Sequence, residues 1–195
     1  RVTSGLYQQN ALRDALYTAC ALNMFNRHCR QVAMTNMAQT VNVLQSMILT
    51  CGSQIVKTPT YWVYYLFRPH RGGTALGCDV CVCSVADSQG REVPMVSASA
   101  SRSQDGKSLT VTLVNVSLEE GVDVQVEIQG SQVRGRPEAW VLTAEDVRAH
   151  NSFECPEAVV PRETSVSTEG SGLRATLPPA SVVSATLAID ERSWV

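Results

Sequence analysis

The sequence lacks the features that mark several large classes of protein. No apolar run in its 195 residues approaches the roughly 18 to 20 residues that a membrane helix requires. The net charge of −2 is unlike the basic balance of a nucleic-acid binder. We therefore expect neither a membrane nor a nucleic acid as a partner. The N-terminus also lacks the apolar core of a signal peptide, which predicts a cytoplasmic protein. The chain begins without Met, however, so we expect it to be a fragment. Secretion of the complete protein therefore stays open.

Acidic side chains are nearly absent from the first 78 residues, where Asp14 is the only one. The same stretch carries seven Lys and Arg residues, whereas residues 79–195 carry nine basic and seventeen acidic ones. The two stretches therefore differ in the sign of their charge. Together with a change of hydrophobic period near residue 75, this difference predicts two parts, residues 1–74 and residues 75–195.

The seven cysteines do not suit the disulfide framework of a small secreted domain, because their number is odd and they are spread along the chain. A reducing compartment fits them better. Cys78, Cys81 and Cys83 leave two interpretations open, a metal site or partly buried thiols on a strand. A structural zinc ion needs four ligands, which favours the thiols. We expect no metal and no cofactor.

Residues 1–74 show the patterns of helices and of one buried strand. Residues 5–27 predict an amphipathic helix because their apolar positions recur every three to four residues. The segment "VAMT", residues 32–35, is apolar on both faces and predicts a parallel strand covered on both sides. A second helix is predicted from Thr40 to Gly52, with Val43, Leu44, Met47 and Ile48 buried. A third, short helix is predicted with Pro59 in its first turn.

From about residue 75 the hydrophobic period becomes two, which is typical of strands that have one buried face. Five segments alternate in this way: "PMVSASASRS", "SLTVTLVNVS", "VDVQVEIQG", "EAWVLTAED" and "SVVSATLAID". They predict an antiparallel β-sandwich, with residues 151–173 as a long surface loop. Asn115-Val116-Ser117 matches a glycosylation acceptor, but it falls inside a predicted strand and is interpreted as a chance match.

The amino-acid sequences of five segments are specific enough to indicate one family: "LYQQNALRDAL", "LNMFNRH", "MTNMAQTVNVLQSMILT", "TPTYWVYYLF" and "NSFECPEAVVP". Together they resemble the C-terminal part of the α-L-arabinofuranosidases of glycoside hydrolase family 51. The resemblance implies an α/β plus all-β fold. Residues 1–74 would be the last helix-strand-helix units of an incomplete (β/α)₈ TIM barrel, and residues 75–195 an antiparallel jelly-roll-like β-sandwich.

The resemblance also implies an activity for the complete protein. That protein would be a retaining glycoside hydrolase that releases terminal non-reducing α-L-arabinofuranosyl residues from arabinose-containing polysaccharides and oligosaccharides. It would work as a homo-oligomer. The alternative is a non-catalytic sandwich that serves as a scaffold or assembly module. A carbohydrate-binding sandwich is disfavoured, because the only aromatic residues beyond residue 78 are Trp140, Phe153 and Trp194.

The substrate-binding residue that the resemblance implies is Gln39. It follows the strand predicted at "VAMT" and matches the family's glutamine that hydrogen-bonds the arabinofuranosyl ring; substrates meet the C-terminal ends of barrel strands. Asn36 and Thr35 could support Gln39, or they could cap the entry to the next helix. His28 could line the site, or it could interact with carbonyl groups at the end of its helix.

The chain offers no pair of catalytic carboxyl groups. Retaining glycosidases need two such groups roughly 5 Å apart, and the barrel-like part of the sequence contains only Asp14. An ion pair with Arg13 or with a neighbouring element is the ordinary role for this residue. The resemblance implies that both catalytic glutamates precede residue 1. We therefore expect this chain alone to be inactive.

Overall fold

The computed structural model describes residues 9–37 and 39–190, and within them it stacks a helical layer and two sheets. The helices are α1 (Leu12–Arg27) and α2 (Pro59–Phe67), the second followed by a 3₁₀ turn at Arg68–His70. The strands are β1 (Ile48–Cys51), β2 (Gln54–Lys57), β3 (Thr74–Leu76), β4 (Ser84–Ala86), β5 (Glu92–Pro94), β6 (Val96–Arg102), β7 (Ser108–Asn115), β8 (Val122–Val126), β9 (Val133–Leu142), β10 (Arg162–Glu163), β11 (Ser167–Glu169), β12 (Gly172–Leu177) and β13 (Ser181–Ile189).

The β-sandwich predicted from residue 75 onward is confirmed. A six-stranded antiparallel sheet has the order β10-β9-β13-β7-β6-β3, and a three-stranded sheet has the order β11-β12-β8. The inner faces of these sheets enclose one apolar core. Its buried members include Val96, Val111, Leu113, Leu173, Leu177 and Leu187. Each of the five strands predicted from alternation forms, because alternate side chains of a strand point to opposite faces of the sheet.

Helices α1 and α2 cover the outer face of the six-stranded sheet. The apolar stripe of α1 packs with α2 and with the outward side chains of β7, β9 and β13 in a second core, which includes Leu12, Leu16, Val63, Val114, Leu142 and Val182. Both helices are present where their patterns predict them, although residues 5–8 of the first prediction lie outside the described residues. Pro59 occupies the first turn of α2, where the missing amide proton costs nothing.

Polar contacts run along this helix-sheet boundary. In β6 the side chain of Ala98 joins the sandwich core, whereas the serines on the opposite face meet the helical layer. The amide of the fully buried Asn23 donates to the Ser97 carbonyl at 3.1 Å and accepts from the Ser99 hydroxyl at 2.7 Å. The alternation of serine and alanine in this strand therefore serves two different interfaces.

The prediction that residues 1–74 form the last part of a (β/α)₈ barrel is wrong for this chain. The described residues contain no strand at 32–35, where "VAMT" was expected to lie in a parallel sheet. A strand needs a hydrogen-bonded neighbour, and none of the described strands pairs with this segment. The apolar stripe of α1, meanwhile, is buried against the sandwich.

The helix predicted from Thr40 is also wrong. Residues 42–47 are irregular, and the segment after them forms the hairpin β1-β2 in place of a helix. Short apolar runs fit the hydrophobic period of a helix or that of a strand. The β-branched residues Ile48, Ile55 and Val56 favour a strand. Gly52 closes the two-residue turn at φ 58°, a backbone conformation that suits glycine in hairpins. Val43 and Leu44, expected in a core, are about 40% exposed.

The loop predicted at residues 151–173 contains two short strands and the start of a third. β10 pairs with β9, and β11 pairs with β12. The residues of β10 and β11 are exposed and polar, so they carry no hydrophobic alternation that a sequence pattern could reveal. The main-chain hydrogen bonds of the ladders supply the pairing.

Two further expectations concern the surface. Asn115 is fully buried, and its amide donates to the carbonyl groups of Glu120 at 2.8 Å and Pro178 at 2.9 Å. The folded chain therefore does not offer this acceptor pattern for modification. Across the part of the chain that the structure describes, neither α1 nor α2 has the length and apolar character needed to cross a membrane.

Candidate functional site

Gln39, the predicted sugar-binding residue, lies in an irregular segment with its side chain exposed to solvent. The next residue, Thr40, is held in place by its backbone. Its carbonyl oxygen accepts the amide protons of Met47 and Ile48, both at 3.1 Å. A fixed backbone beside an exposed amide side chain is an arrangement that can present hydrogen bonds to a polar ligand.

The two proposed neighbours of Gln39 are placed differently. Asn36 is exposed, whereas Thr35 is half-buried near Tyr64 of α2. Burial raises the pKa of Tyr64, and the Thr35 side chain opposes that rise. Because no helix begins at Thr40, the interpretation of Thr35 and Asn36 as helix-entry caps is wrong.

Two residues that the sequence reasoning missed fix this segment on both sides. Thr58, the N-cap of α2, is 1% exposed, and its amide donates to the Met47 carbonyl at 3.0 Å. The Thr58 hydroxyl lies 2.9 Å from the Ser46 carbonyl oxygen. The Gln45 amide reaches α1, where it donates to the Asp14 carbonyl at 3.3 Å. The threonine before Pro59 could have been identified as a cap, but no local pattern reveals its bonds to Ser46 and Met47.

Asp14, the one acid before residue 79, belongs to the N-terminus of α1. Its Oδ2 accepts the Ala11 amide at 2.9 Å and lies 3.5 Å from Nη2 of Arg13. The predicted ion pair with Arg13 is therefore present. A carboxylate at this end of a helix is stabilised by the helix dipole and satisfies an otherwise unpaired amide. These contacts give Asp14 a structural role.

His28 is the C-cap of α1 and is exposed. Its carbonyl oxygen accepts the amide protons of Gln31 at 2.9 Å and Val32 at 3.0 Å, which starts the irregular segment. The contacts that the structure gives for His28 are thus those of a turn at a helix end. Whether its imidazole lines a sugar site stays a prediction.

The cysteines do not form a metal centre within residues 9–37 and 39–190, where no group of three or more His, Cys, Asp or Glu side chains could hold an ion. Cys78 is half-buried against the sandwich core, while Cys81 and Cys83 are exposed. All three precede β4, so the expectation that they lie on a strand is wrong. All seven thiols are free.

A concave surface lies elsewhere, between the connection from β8 to β9 and the turn from β11 to β12. It is an open cleft of about 490 Å³ lined by Glu127, Ile128, Gln129, Gly130, Ser131, Gln132 and Ser171. None of the predicted site residues contributes to it. Because it is largely open to solvent, it does not resemble the enclosed pockets that bury most of a small ligand.

The chain matches a protein-family model over most of its length. Residues 2–181 match the family model described as the α-L-arabinofuranosidase C-terminal domain. Among curated relatives, the intracellular exo-α-L-arabinofuranosidase of Bacteroides ovatus is 36% identical over 179 residues, which is 91% of this chain and 34% of the relative. A probable α-L-arabinofuranosidase C of Aspergillus clavatus is 32% identical over 76% of this chain and 30% of its own length.

Solved structures of α-L-arabinofuranosidases also resemble this chain. The family 51 arabinofuranosidase of Xanthomonas axonopodis pv. citri superposes with a TM-score of 0.88 at 35% identity, covering 93% of this chain and 36% of that one. An arabinose complex of the α-L-arabinofuranosidase of Thermotoga maritima superposes with a TM-score of 0.82 at 25% identity, covering 96% and 41%. The chain therefore spans about a third of the length of the curated relatives it matches.

Proposed function

Because the chain belongs to the family of α-L-arabinofuranosidase C-terminal domains, we propose that the complete protein is a retaining α-L-arabinofuranosidase of glycoside hydrolase family 51. It releases terminal non-reducing α-L-arabinofuranosyl residues from arabinose-containing polysaccharides and oligosaccharides. The observation that carries this proposal is the family match over residues 2–181, which includes the segment around Gln39.

Within this proposal the chain supplies one wall of the sugar site. Gln39 hydrogen-bonds the arabinofuranosyl ring through its exposed amide, and Thr35 and Asn36 support the backbone that carries it. The two catalytic carboxyl groups come from the part of the protein that precedes this chain. Such a pair hydrolyses a glycoside through a covalent intermediate without a metal or a cofactor. We further propose a cytoplasmic homo-oligomer.

The activity is tested with the complete protein and an aryl α-L-arabinofuranoside. Loss of a hydrogen bond that strengthens in the transition state typically costs on the order of 10² in rate. We therefore expect Gln39→Ala to lower kcat/KM by about that factor while the protein stays folded. Gln54→Ala, a change of another exposed glutamine in the hairpin β1-β2, serves as the control and should leave kcat/KM unchanged. If Gln39→Ala matched Gln54→Ala, Gln39 would be removed from the site.

The alternative function is a scaffold or assembly module without catalysis. The large apolar side chains of Tyr17, Met34 and Ile55 are at least two-thirds exposed, and an assembly interface would cover side chains of this kind. The two functions separate in one measurement on the complete protein. A scaffold would show no hydrolysis above background together with concentration-dependent assembly, whereas the enzyme hydrolyses at every protein concentration.

A further inference from the structure

Gln39 owes its position to a set of backbone contacts that begins at the start of α2. We propose that Thr58 is a positioning residue for Gln39, an inference that rests on the proposed function. Thr58 contacts neither the sugar nor the reacting atoms. It acts by fixing the backbone that leads to Gln39.

The first step in this set of contacts, here called the clasp, is the group of hydrogen bonds that joins Thr58 to Ser46 and Met47, the two residues before β1. The Thr58 amide donates to the Met47 carbonyl at 3.0 Å, which extends the ladder of the hairpin by one bond. The Thr58 hydroxyl lies 2.9 Å from the Ser46 carbonyl oxygen and 3.1 Å from that of Met47. Thr58 and Ser46 are both fully buried, so water does not compete for these bonds.

The second step joins this clasp to Gln39. The amide groups of Met47 and Ile48 both donate to the Thr40 carbonyl, each at 3.1 Å. The backbone of Met47 thus connects the two residues, because its amide donates to the Thr40 carbonyl and its carbonyl accepts the Thr58 amide proton. Since Thr40 follows Gln39 directly, a shift of residues 46 and 47 moves the backbone of Gln39. Displacement of a hydrogen-bonding group by about 1 Å can cost about 10²-fold in rate even when the substituted residue lies far from the chemistry.

Thr60 provides a matched control in the same helical turn. It is as fully buried as Thr58, and its hydroxyl also accepts a long-range hydrogen bond, from the Asn10 amide at 2.8 Å. That bond ties α2 to the segment before α1 and does not reach residues 39–47. Thr58→Val and Thr60→Val therefore both remove a buried hydroxyl from the start of α2. Only the first loosens the connection to Gln39.

The experiment compares kinetic constants of the complete protein on an aryl α-L-arabinofuranoside. We expect Thr58→Val to lower kcat/KM about tenfold, Thr58→Ser to restore the wild-type value because it keeps the hydroxyl, and Thr60→Val to leave it unchanged. Both valine variants should lower the melting temperature to a similar extent. If Thr58→Val does not yield folded protein, Gln45→Met loosens the same segment from α1 and carries the same expectation.

A double-mutant cycle separates a positioning role from general damage. Once Gln39 is replaced by alanine, its amide is gone and its position no longer matters. Thr58→Val should therefore change kcat/KM little further in the Gln39→Ala background. The inference is overturned if the two effects multiply, if Thr60→Val matches Thr58→Val, or if Thr58→Val has wild-type kinetics while Gln39→Ala is impaired. A Gln39→Ala variant with wild-type kinetics would overturn the proposed role of Gln39 itself.

Discussion

His70 shows how one side chain connects the helical layer to the sheet. It lies on the 3₁₀ turn after α2, with Nδ1 2.7 Å from the Ser101 hydroxyl on β6 and Nε2 2.6 Å from the Thr112 hydroxyl on β7. Burial lowers the pKa of His70 to about 4, because the charged imidazole loses its hydration there. The side chain is therefore neutral at pH 7, with one ring nitrogen donating and the other accepting.

This low pKa predicts a loss of stability in mild acid. In the unfolded chain the pKa of His70 has its ordinary value of 6.5, so between pH 6.5 and about 4 the unfolded state binds the proton and the folded state does not. Stability then falls as the pH falls through this window, by on the order of 2 kcal/mol. Urea unfolding of the 195-residue chain at pH 7.5 and pH 4.5 measures the loss.

The matched variant for this prediction is His70→Gln, which keeps a donor and an acceptor but does not titrate. We expect it to be less stable than the wild type at pH 7.5 and to lose less free energy of unfolding on going to pH 4.5. An equal loss in the two proteins would assign the acid sensitivity to other groups.

At the scale of single elements, β12 depends on a glycine at its first position. A Cβ atom on Gly172 would collide with the carbonyl oxygen of Val126 in β8. β12 pairs with β8 from Leu173 to Leu177 and places both of these leucines in the sandwich core. Close approach of the two backbones at this point is therefore part of how the three-stranded sheet packs.

We predict that Gly172→Ala destabilises the chain by about 2 kcal/mol or more, because backbone atoms must move to admit the methyl group. The matched control is Gly77→Ala. A Cβ atom on Gly77 meets nothing within 4 Å, and the backbone there is not left-handed, so we expect its stability to stay the same or to rise slightly. Thermal unfolding of both variants measures the difference, and equal melting temperatures would contradict the close approach.

The sequence predicted elements well where large apolar side chains mark one face and polar or small side chains mark much of the other. Strands β6, β7, β8, β9 and β13 follow from alternation, and α1 follows from its apolar stripe. Residues 42–47 could not be predicted in this way, since Val43, Leu44 and Met47 fit a helical stripe equally well. Gln39 was assigned to the sugar site through a family resemblance, and that role stays a prediction. Thr58 was not located, because its partners lie 11 and 12 residues away and are backbone carbonyl groups.

At the scale of the whole molecule, the second core joins the two parts that charge and periodicity separate. The boundary between residues 1–74 and 75–195 stays a prediction. In the sequence, both helices precede this boundary, and nearly all of the sheet that they cover follows it. Val114, Leu142 and Val182 are fully buried in this second core. Removal of the helices would expose their side chains to water.

Expression of residues 75–195 alone tests the boundary. We expect this shorter chain to bind a dye specific for apolar surface and to melt at a lower temperature than the 195-residue chain, because the outer face of the six-stranded sheet becomes solvated. A second variant in which Val114 and Val182 are both changed to Thr should reduce dye binding by the shorter chain. A monomeric, dye-free fragment with an unchanged melting temperature would show that the sandwich is an independent folding unit.

The burial of Asn115 sets a condition on how the protein can be produced. In a eukaryotic secretory pathway, oligosaccharyl transfer acts on nascent chains, before strands β7 and β13 have paired. A glycan attached at that stage would sit on the nitrogen that the folded chain directs toward Glu120 and Pro178. Sugar attachment and native packing at this residue are therefore mutually exclusive, and a bacterial cytosol is the suitable expression host.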